Sequence, residues 1–328
     1  MPVTVHRVES RVLIGNPLGD PSARDLYVWT PAGDHPDRPL PTLLAVCGFT
    51  GTGGMLFNVD TLGESLGHRM DRLVASGACP PCRIVAPDCF TRVGGNQYIN
   101  SAATGRYEDY LLEEILPFVE ARYRVKRWGV FGKSSGGYGS FMLGTRHPQV
   151  FAALADHSGD AGFELCYLQD FPGALDAYRD AGGTAAWLDE FWADDNRHRR
   201  KHHKPLNILG MAAHYSPDAG APLGIALPFD PETGEFRPDV WATWRSFDPV
   251  NLIERPEVQS ALRGMRAIYV DCGTRDEFAL IWGARALVAR MRRAGLSPVY
   301  EEFDDGHMSV SYRYDRSVPL LVKALDGE

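Results

Sequence analysis

The feature that most constrains the fold of this chain is a G-x-S-x-G pentapeptide at residues 132–136, between a short apolar run and a glycine-rich segment. The apolar run predicts a buried strand, and residues 136–143 predict the start of a helix. A serine at such a strand-to-helix turn has a strained backbone, and the flanking glycines leave room for it. The pattern therefore predicts that the Ser134 hydroxyl is presented above a sheet. Ser135 is not the motif serine, because Lys133 stands where its first glycine would have to be.

Length and charge narrow the class of protein. A chain of 328 residues accommodates one α/β domain with an insertion. The net charge of −8 argues against nucleic-acid binding and against a basic membrane-surface protein. No apolar stretch approaches the roughly 20 residues of a membrane span, and the first residues lack the apolar core of a signal peptide. We expect a cytoplasmic protein, although a secreted one whose leader had been removed would look the same. The oligomeric state stays open.

Strand and helix patterns alternate along most of the chain, which predicts a mainly parallel sheet flanked by helices. Half-exposed edge strands are predicted at 3–9 and 24–30, and buried strands at 42–46, 83–86, 128–131, 151–155, 267–272 and 299–303. Helices are predicted up to about residue 76 and over 107–123, 279–294 and 315–325, besides the one after the pentapeptide. Pro117 should kink or break the second of these.

The alternation is lost between residues 160 and 250, a segment that holds four of the seven tryptophans. An insertion at this point lies over the carboxyl edge of the sheet, where ligands bind in open α/β proteins. We expect residues 160–250 to form a cap or lid on a core made of residues 1–159 and 251–328. The alternative, favoured for any single tryptophan, is that the aromatic side chains of the insertion simply pack on one another.

The order of residues predicts a catalytic triad. A serine hydroxyl needs a base to accept its proton and an acid to orient that base. In α/β hydrolases the acid and then the histidine follow the serine, in loops after successive strands. Asp276 lies past a glycine turn after one late strand, with Asp271 and Glu277 as alternatives, and His307 alone follows the last strand. The prediction is Ser134, Asp276 and His307.

Backbone N–H groups are predicted to form an oxyanion hole. One donor comes from the residue after the nucleophile, Ser135, and the other from the loop after the first buried strand, at Phe49. No metal or other cofactor is expected. His198 and His202 have a spacing that suits a metal, but the cationic side chains around them favour a solvated loop.

The cysteines are scattered rather than arrayed. Cys79 and Cys82 form a CxxC pattern without a second ligand pair or a thioredoxin-like context. We expect a structural role for them, with a local disulfide as the alternative.

Taken together, these motifs resemble the "Putative esterase" family of α/β hydrolases. This family contains S-formylglutathione hydrolase (esterase D), enterochelin esterases, feruloyl and acetyl-xylan esterases, and the antigen 85 mycolyltransferases. The segments that carry the resemblance are 26–31, 48–50, 94–101, 132–137, 273–278 and 306–307. The resemblance implies the α/β-hydrolase fold, an oxyanion N–H from Phe49, and roles in the triad for Asp276 and His307. Residues 51–52 and the large insertion depart from S-formylglutathione hydrolase, so the enterochelin-esterase-like branch is nearer.

The expected activity is hydrolysis of a small-molecule carboxylic ester through an acyl-enzyme, with feruloyl, acetyl or enterochelin-like esters as candidates. An acyltransferase with the same triad and a silent binding protein on the same scaffold are the alternatives. Side chains expected at the substrate pocket are Arg92, Gln97, Tyr98, His157, Trp241 and Trp244.

Overall fold

The computed structural model describes residues 3–327 and is built around an eight-stranded sheet. The strands are β1 (Val3–Glu9), β2 (Ala23–Trp29), β3 (Leu40–Val46), β4 (Arg83–Pro87), β5 (Val125–Lys133), β6 (Phe151–His157), β7 (Ala267–Gly273) and β8 (Val299–Phe303). Their spatial order is β1-β2-β4-β3-β5-β6-β7-β8. Only the pairs that β2 makes with β1 and β4 are antiparallel, which confirms a mainly parallel sheet. The expectation that residues 24–30 form an edge strand is wrong, because β2 lies between two neighbours.

Helices cover both faces of the sheet. They are α1 (Leu66–Ala75), α2 (Tyr107–Asp109 and Leu116–Glu120, joined by the π-helical turn Tyr110–Ile115), α3 (Ser135–Arg146), α4 (Phe163–Cys166), α5 (Phe171–Ala181), α6 (Thr184–Ala193), α7 (His203–Tyr215), α8 (Pro238–Arg245), α9 (Pro249–Leu252), α10 (Pro256–Arg263), α11 (Leu280–Arg293) and α12 (Tyr314–Asp326). Short 3₁₀ turns are Gly53–Phe57, Leu168–Asp170, Arg200–His202, Pro222–Gly224 and Ser311–Arg313. The irregularity in α2 directly precedes Pro117, whose missing N–H cannot support a regular α-helical turn before it.

The side chains of each inner strand alternate between two hydrophobic layers. In β3, Leu43 and Ala45 pack with α1 and α12 on one face. Leu44 and Val46 pack with α2 and α3 on the other. This two-sided burial explains why the inner strands are continuous apolar runs rather than alternating ones.

The insertion between β6 and β7 is helical and shares the larger hydrophobic layer with the sheet. Its tryptophans pack mostly on aromatic side chains of the insertion itself. The Trp241 and Trp244 ring centroids are 5.7 Å apart, and Phe171 lies 5.7 and 6.2 Å from them. The division into a core and a cap stays a prediction.

All six cysteines are buried free thiols, and Cys79 and Cys82 lie in the layer beside α1. The CxxC pattern therefore forms no disulfide here. Between residues 3 and 327, no helix is both long enough and apolar enough to cross a membrane.

A buried ion pair ties the proline-rich link before β3 to the sheet. The Arg83 guanidinium donates to both carboxylate oxygens of Asp34, at 2.7 and 3.0 Å. It also donates to the backbone oxygens of His35, Arg38 and Arg124 at 3.0 Å. Arg83 is fully buried, so these partners must replace the water that would otherwise stabilise its charge.

We expect Asp34→Ala to lower the free energy of unfolding by about 3–5 kcal/mol, because it leaves a buried guanidinium without its counter-charge. Urea unfolding monitored by circular dichroism measures the change. Asp176→Ala is the control: Asp176 pairs with Arg179 on an exposed helix surface, so the substitution should change stability little. Equal losses in the two variants would contradict the role of the buried pair.

Candidate active site

Backbone strain is concentrated at the carboxyl edge of the sheet. Among residues 3–327, seven non-glycine residues have positive φ, and five of them follow strand ends. They are Thr50, Ser134, Ser158, Ala279 and Ser309, after β3, β5, β6, β7 and β8 respectively. Each such conformation costs roughly 1–3 kcal/mol and persists only where surrounding contacts impose it. Clusters of this kind are typical of functional sites.

Ser134 stands at the turn between β5 and α3, as its motif predicts, with φ 61° and ψ −128°. Its N–H donates to the His157 carbonyl at 2.9 Å, and its own carbonyl accepts from Tyr138 N–H at 3.0 Å. The turn lies against β3 so closely that a Cβ on Gly132 or Gly136 would stand 2.4 or 2.2 Å from the Val46 oxygen. Both positions therefore require glycine.

The structure brings His307 and Asp276 together. His307 Nδ1 lies 2.7 Å from Asp276 Oδ2, and both side chains are almost fully buried. The other oxygen, Oδ1, accepts from the backbone N–H groups of Phe278 and Leu280 at 2.9 and 3.3 Å. These bonds hold the Asp276 carboxylate in one orientation.

The two alternative acids have other partners. Glu277 Oε2 accepts from the backbone N–H of His307 at 2.6 Å, so it holds the histidine loop and not the ring. Asp271 Oδ1 lies 2.7 Å from His157 Nδ1, and His157 Nε2 lies 2.7 Å from Ser317 Oγ. This second Ser–His–Asp cluster is entirely buried, which makes it part of the core.

Ser134 lines a small cavity, and the contact between His307 and this cavity runs through Phe278. Within residues 3–327 no hydrogen bond joins the Ser134 hydroxyl to the His307 ring. The Phe278 ring connects them: it lies 4.8 Å from the His307 ring and lines the cavity that also contains Ser134.

The cavity beside Ser134 measures about 40 Å³. Phe49 and Ser135, the residues expected to supply oxyanion donors, both line it. The Phe49 ring is held by close packing against Gly94 and Gly210, where a Cβ would come within 2.3 and 2.8 Å of the ring. The loop after β3 and the start of α3 thus both border the cavity beside Ser134.

Asp160 is the main residue of this cavity that sequence reasoning missed. Its Oδ2 accepts from Ser135 Oγ at 3.0 Å, Tyr167 OH at 3.0 Å and Gln97 Nε2 at 3.2 Å. Burial raises the pKa of Asp160, and the hydrogen bonds from Ser135, Tyr167 and Gln97 oppose that rise. Its position just after β6, at the carboxyl edge of the sheet, is a signal that could have identified it.

A larger cavity of about 640 Å³ adjoins the small one. Phe49, His203 and Phe278 line both, so they form the junction between them. The His203 and Phe278 rings stack, with centroids 5.2 Å apart. Burial, His307 and Lys204 lower the pKa of His203, although the Asp170 charge acts in the opposite direction.

Three residues of the loop after β4 were expected to line the substrate pocket, and none of them lines the two cavities. Tyr98 is buried, and its hydroxyl donates to the Cys47 carbonyl at 2.6 Å. Arg92 pairs with Asp189 at 2.9 Å. Gln97 is fully buried behind the cavity wall, where it contacts Asp160. None of the three lines either cavity, because two glycines of the loop pack against Phe49.

The remaining pocket candidates are buried. The His157 side chain belongs to the buried cluster described above, and its backbone carbonyl accepts from the Ser134 N–H. Trp244 is fully buried and donates to Ser216 Oγ at 2.8 Å, while Trp241 packs beside it. Within the described residues, no group of three or more His, Cys, Asp or Glu side chains is arranged to hold a metal ion.

The family of this chain follows from its similarity to known proteins. The "Putative esterase" family model matches residues 24–315, which is most of the chain. The chain belongs to this family. Membership identifies the protein as a carboxylesterase, and it confirms the resemblance inferred from the motifs. Comparison with curated proteins finds no match.

Solved structures support the α/β-hydrolase fold of this esterase. A ferulic acid esterase is 20% identical with a TM-score of 0.62, over 98% of each chain. S-formylglutathione hydrolase from Agrobacterium tumefaciens is 14% identical with a TM-score of 0.57, over 98% of this chain and 95% of its own. An enterochelin esterase from Shigella flexneri is 17% identical with a TM-score of 0.54, over 99% of this chain and 59% of its own. At these identities the likeness shows the fold alone.

The buried Asp156, beneath the Ser134 turn, should make stability depend on pH. Burial raises the pKa of this carboxyl from 3.8 to about 7. The folded state therefore binds the proton more tightly than the unfolded chain does. We expect the free energy of unfolding to fall as the pH rises from about 4 to about 7, by at most about 4 kcal/mol.

Asp156→Asn keeps the shape of the protonated side chain and should remove this dependence. Urea unfolding of both proteins at pH 5 and pH 8 measures the difference. The exposed Asp176→Asn serves as the control and should behave like wild type. If the asparagine variant lost as much stability as wild type between the two pH values, Asp156 would not be the group responsible.

Proposed function

We propose that this esterase cleaves carboxylic esters with Ser134 as nucleophile, His307 as general base and Asp276 as the group that orients the base. The observation that carries the proposal is the 2.7 Å contact between His307 Nδ1 and Asp276 Oδ2, at the same edge of the sheet as the strained Ser134. With Asp276 ionised, Nδ1 carries the proton and Nε2 is left to accept one.

Acylation follows from this arrangement. Nε2 of His307 accepts the proton of Ser134, whose oxygen forms a bond to the ester carbonyl carbon. The tetrahedral intermediate collapses when the C–O bond to the alcohol breaks, and the imidazolium returns its proton to the leaving alkoxide. Contacts between a serine and its base are often long in a free enzyme and shorten when substrate binds.

The charge that develops on the carbonyl oxygen needs preorganised donors. The backbone N–H groups of Phe49 and Ser135 are the proposed donors, since both residues line the cavity that contains Ser134. Each such donor contributes about 2.7–4 kcal/mol of transition-state stabilisation. Gly48 allows this approach, because a Cβ there would stand 3.2 Å from the Cβ of Ser134.

Deacylation repeats the same steps with water. His307 removes a proton from water, the oxygen attacks the acyl carbon, and Ser134 leaves with the proton returned by the imidazolium.

The aromatic rings of Phe49 and Phe278 favour a short or aromatic acyl group, such as acetyl, feruloyl or an enterochelin-like aromatic acid. An alcohol that replaced water would make the protein an acyltransferase, and residues 160–250 are proposed to act as the cap over either reaction.

Ser134→Ala should abolish turnover of p-nitrophenyl acetate and labelling by a fluorophosphonate probe, because no other side chain takes the place of its hydroxyl. Release of nitrophenolate and in-gel fluorescence are the measurements. Ser260→Ala, an exposed serine on α10, is the control and should match wild type. Undiminished turnover in Ser134→Ala would refute the assignment, and a wild type that the probe fails to label would indicate a silent binding protein. Ester formation faster than hydrolysis in the presence of alcohols would identify an acyltransferase.

Asp276→Asn should lower kcat by about 10⁴-fold, because an amide stabilises the wrong tautomer of the histidine. Steady-state kinetics with the same ester measures this. Asp304→Asn is the matched control on a neighbouring loop, where the side chain is exposed and pairs with Arg275. A loss of tenfold or less in Asp276→Asn would point to another acid.

A further inference from the structure

The larger cavity is lined by positive charge, although the whole protein carries a net charge of −8. Its cationic side chains come from one segment of the insertion, residues 197–204. They are Arg197, Arg199, Arg200 and Lys204, joined by the imidazoles of His198, His202 and His203. A cluster of one sign in a cavity raises the local concentration of ligands of the opposite sign.

Three of these cations are held by neighbours within the insertion. Arg197 lies over the Trp192 ring, with its guanidinium carbon 5.3 Å from the ring centroid. Arg199 is 3.5 Å from Asp194, and Lys204 is 3.8 Å from Asp170. Contacts with these neighbours therefore define their positions on the cavity wall.

Arg200 differs from the other three. Among residues 3–327 its guanidinium makes no ion pair and no hydrogen bond, yet the residue lines the cavity. The two carboxylates of the same wall already have partners: Glu277 accepts from the His307 N–H at 2.6 Å, and Asp170 accepts from Asn207 at 3.0 Å. The donors of Arg200 are thus available to a ligand.

The cationic wall is continuous with the Ser134 site. Phe49, His203 and Phe278 line both the small cavity and the large one, so a molecule whose ester lies at Ser134 extends past them toward the cations. A neutral aromatic or short ester would fill only the part near the rings. A larger ester reaches the Arg200 side.

We propose that the large cavity is a binding site for an anionic group of the substrate, and that Arg200 is a specificity-determining residue for it. The preferred substrates are esters that carry a carboxylate, sulfate or phosphate on the part remote from the scissile carbonyl. A guanidinium suits these groups because its planar donors match two oxygens at once. The inference rests on the proposed esterase activity of Ser134.

Two matched pairs of substrates test the proposal, since the anion can belong to the acyl or to the alcohol part. The first pair is 4-nitrophenyl glutarate monoester and its neutral methyl ester. The second is 4-acetoxybenzoate and 4-acetoxybenzamide. In one pair or both, wild type should show a kcat/KM at least about tenfold higher for the anionic member, as expected of a hydrogen-bonded ion pair. Added NaCl should reduce that preference, because salt screens exposed charges.

Arg200→Gln should lower kcat/KM for the preferred anionic ester more than for its neutral partner, and so remove most of the preference. Lys201→Gln is the matched control: it removes the same charge from the next residue, which does not line the large cavity, although both residues border a neighbouring one. It should keep the preference. Both side chains are exposed, and circular dichroism with unfolding midpoints verifies that each variant is folded.

The outcomes separate the two proposals. Equal kcat/KM for both members of each pair, with turnover abolished in Ser134→Ala, overturns the anion site and leaves the esterase mechanism intact. A preference that survives Arg200→Gln, or that Lys201→Gln removes equally, overturns the assignment to Arg200. Absence of any Ser134-dependent turnover overturns both proposals.

Discussion

The close approach of the Ser134 turn to β3 is the constraint on which the site depends. The carbonyl of Val46 occupies the space where side chains on Gly132 and Gly136 would begin. Because both are glycine, α3 starts directly against the strand and Ser134 is held at positive φ. The same strand end leads into the loop of Phe49, so one backbone contact sets the distance between Ser134 and that loop. A shift of either element would separate them.

The strand next to the turn, β6, secures it from two sides. At its end, the His157 carbonyl accepts the N–H of Ser134, while the His157 ring is fixed by Asp271 and Ser317. Just beyond, Asp160 holds the Ser135 hydroxyl and connects it to the insertion. These buried hydrogen bonds fix the residues on both sides of the turn, and they oppose the strain stored there.

Much of the fold and the centre of the site could be predicted because they depend on local patterns. Apolar runs identified the inner strands, and the G-x-S-x-G context identified the turn at Ser134. Chain order alone selected Asp276 and His307, since loops after parallel strands meet at one edge of the sheet. The structure pairs those two side chains at 2.7 Å.

The surroundings of the other expected pocket residues could not be predicted. Tyr98, His157 and Trp244 belong to a loop, a strand end and the insertion, and each side chain is buried. Which way a loop side chain points depends on contacts with segments far along the chain, such as the Cys47 carbonyl for Tyr98 and Ser216 for Trp244. Asp160 was missed for the same reason.

By itself, the sequence determined the class of fold, the turn at Ser134 and the order of the residues proposed for catalysis, because periodicity and glycine positions are local properties. Only the tertiary structure decided which side chains surround Ser134 and what charge the adjoining cavity carries. The run of cations at residues 197–204 is visible in the sequence, yet its position across from Phe49 and Phe278 depends on how the insertion packs over the sheet. That packing arises from contacts between distant residues, which no local pattern encodes.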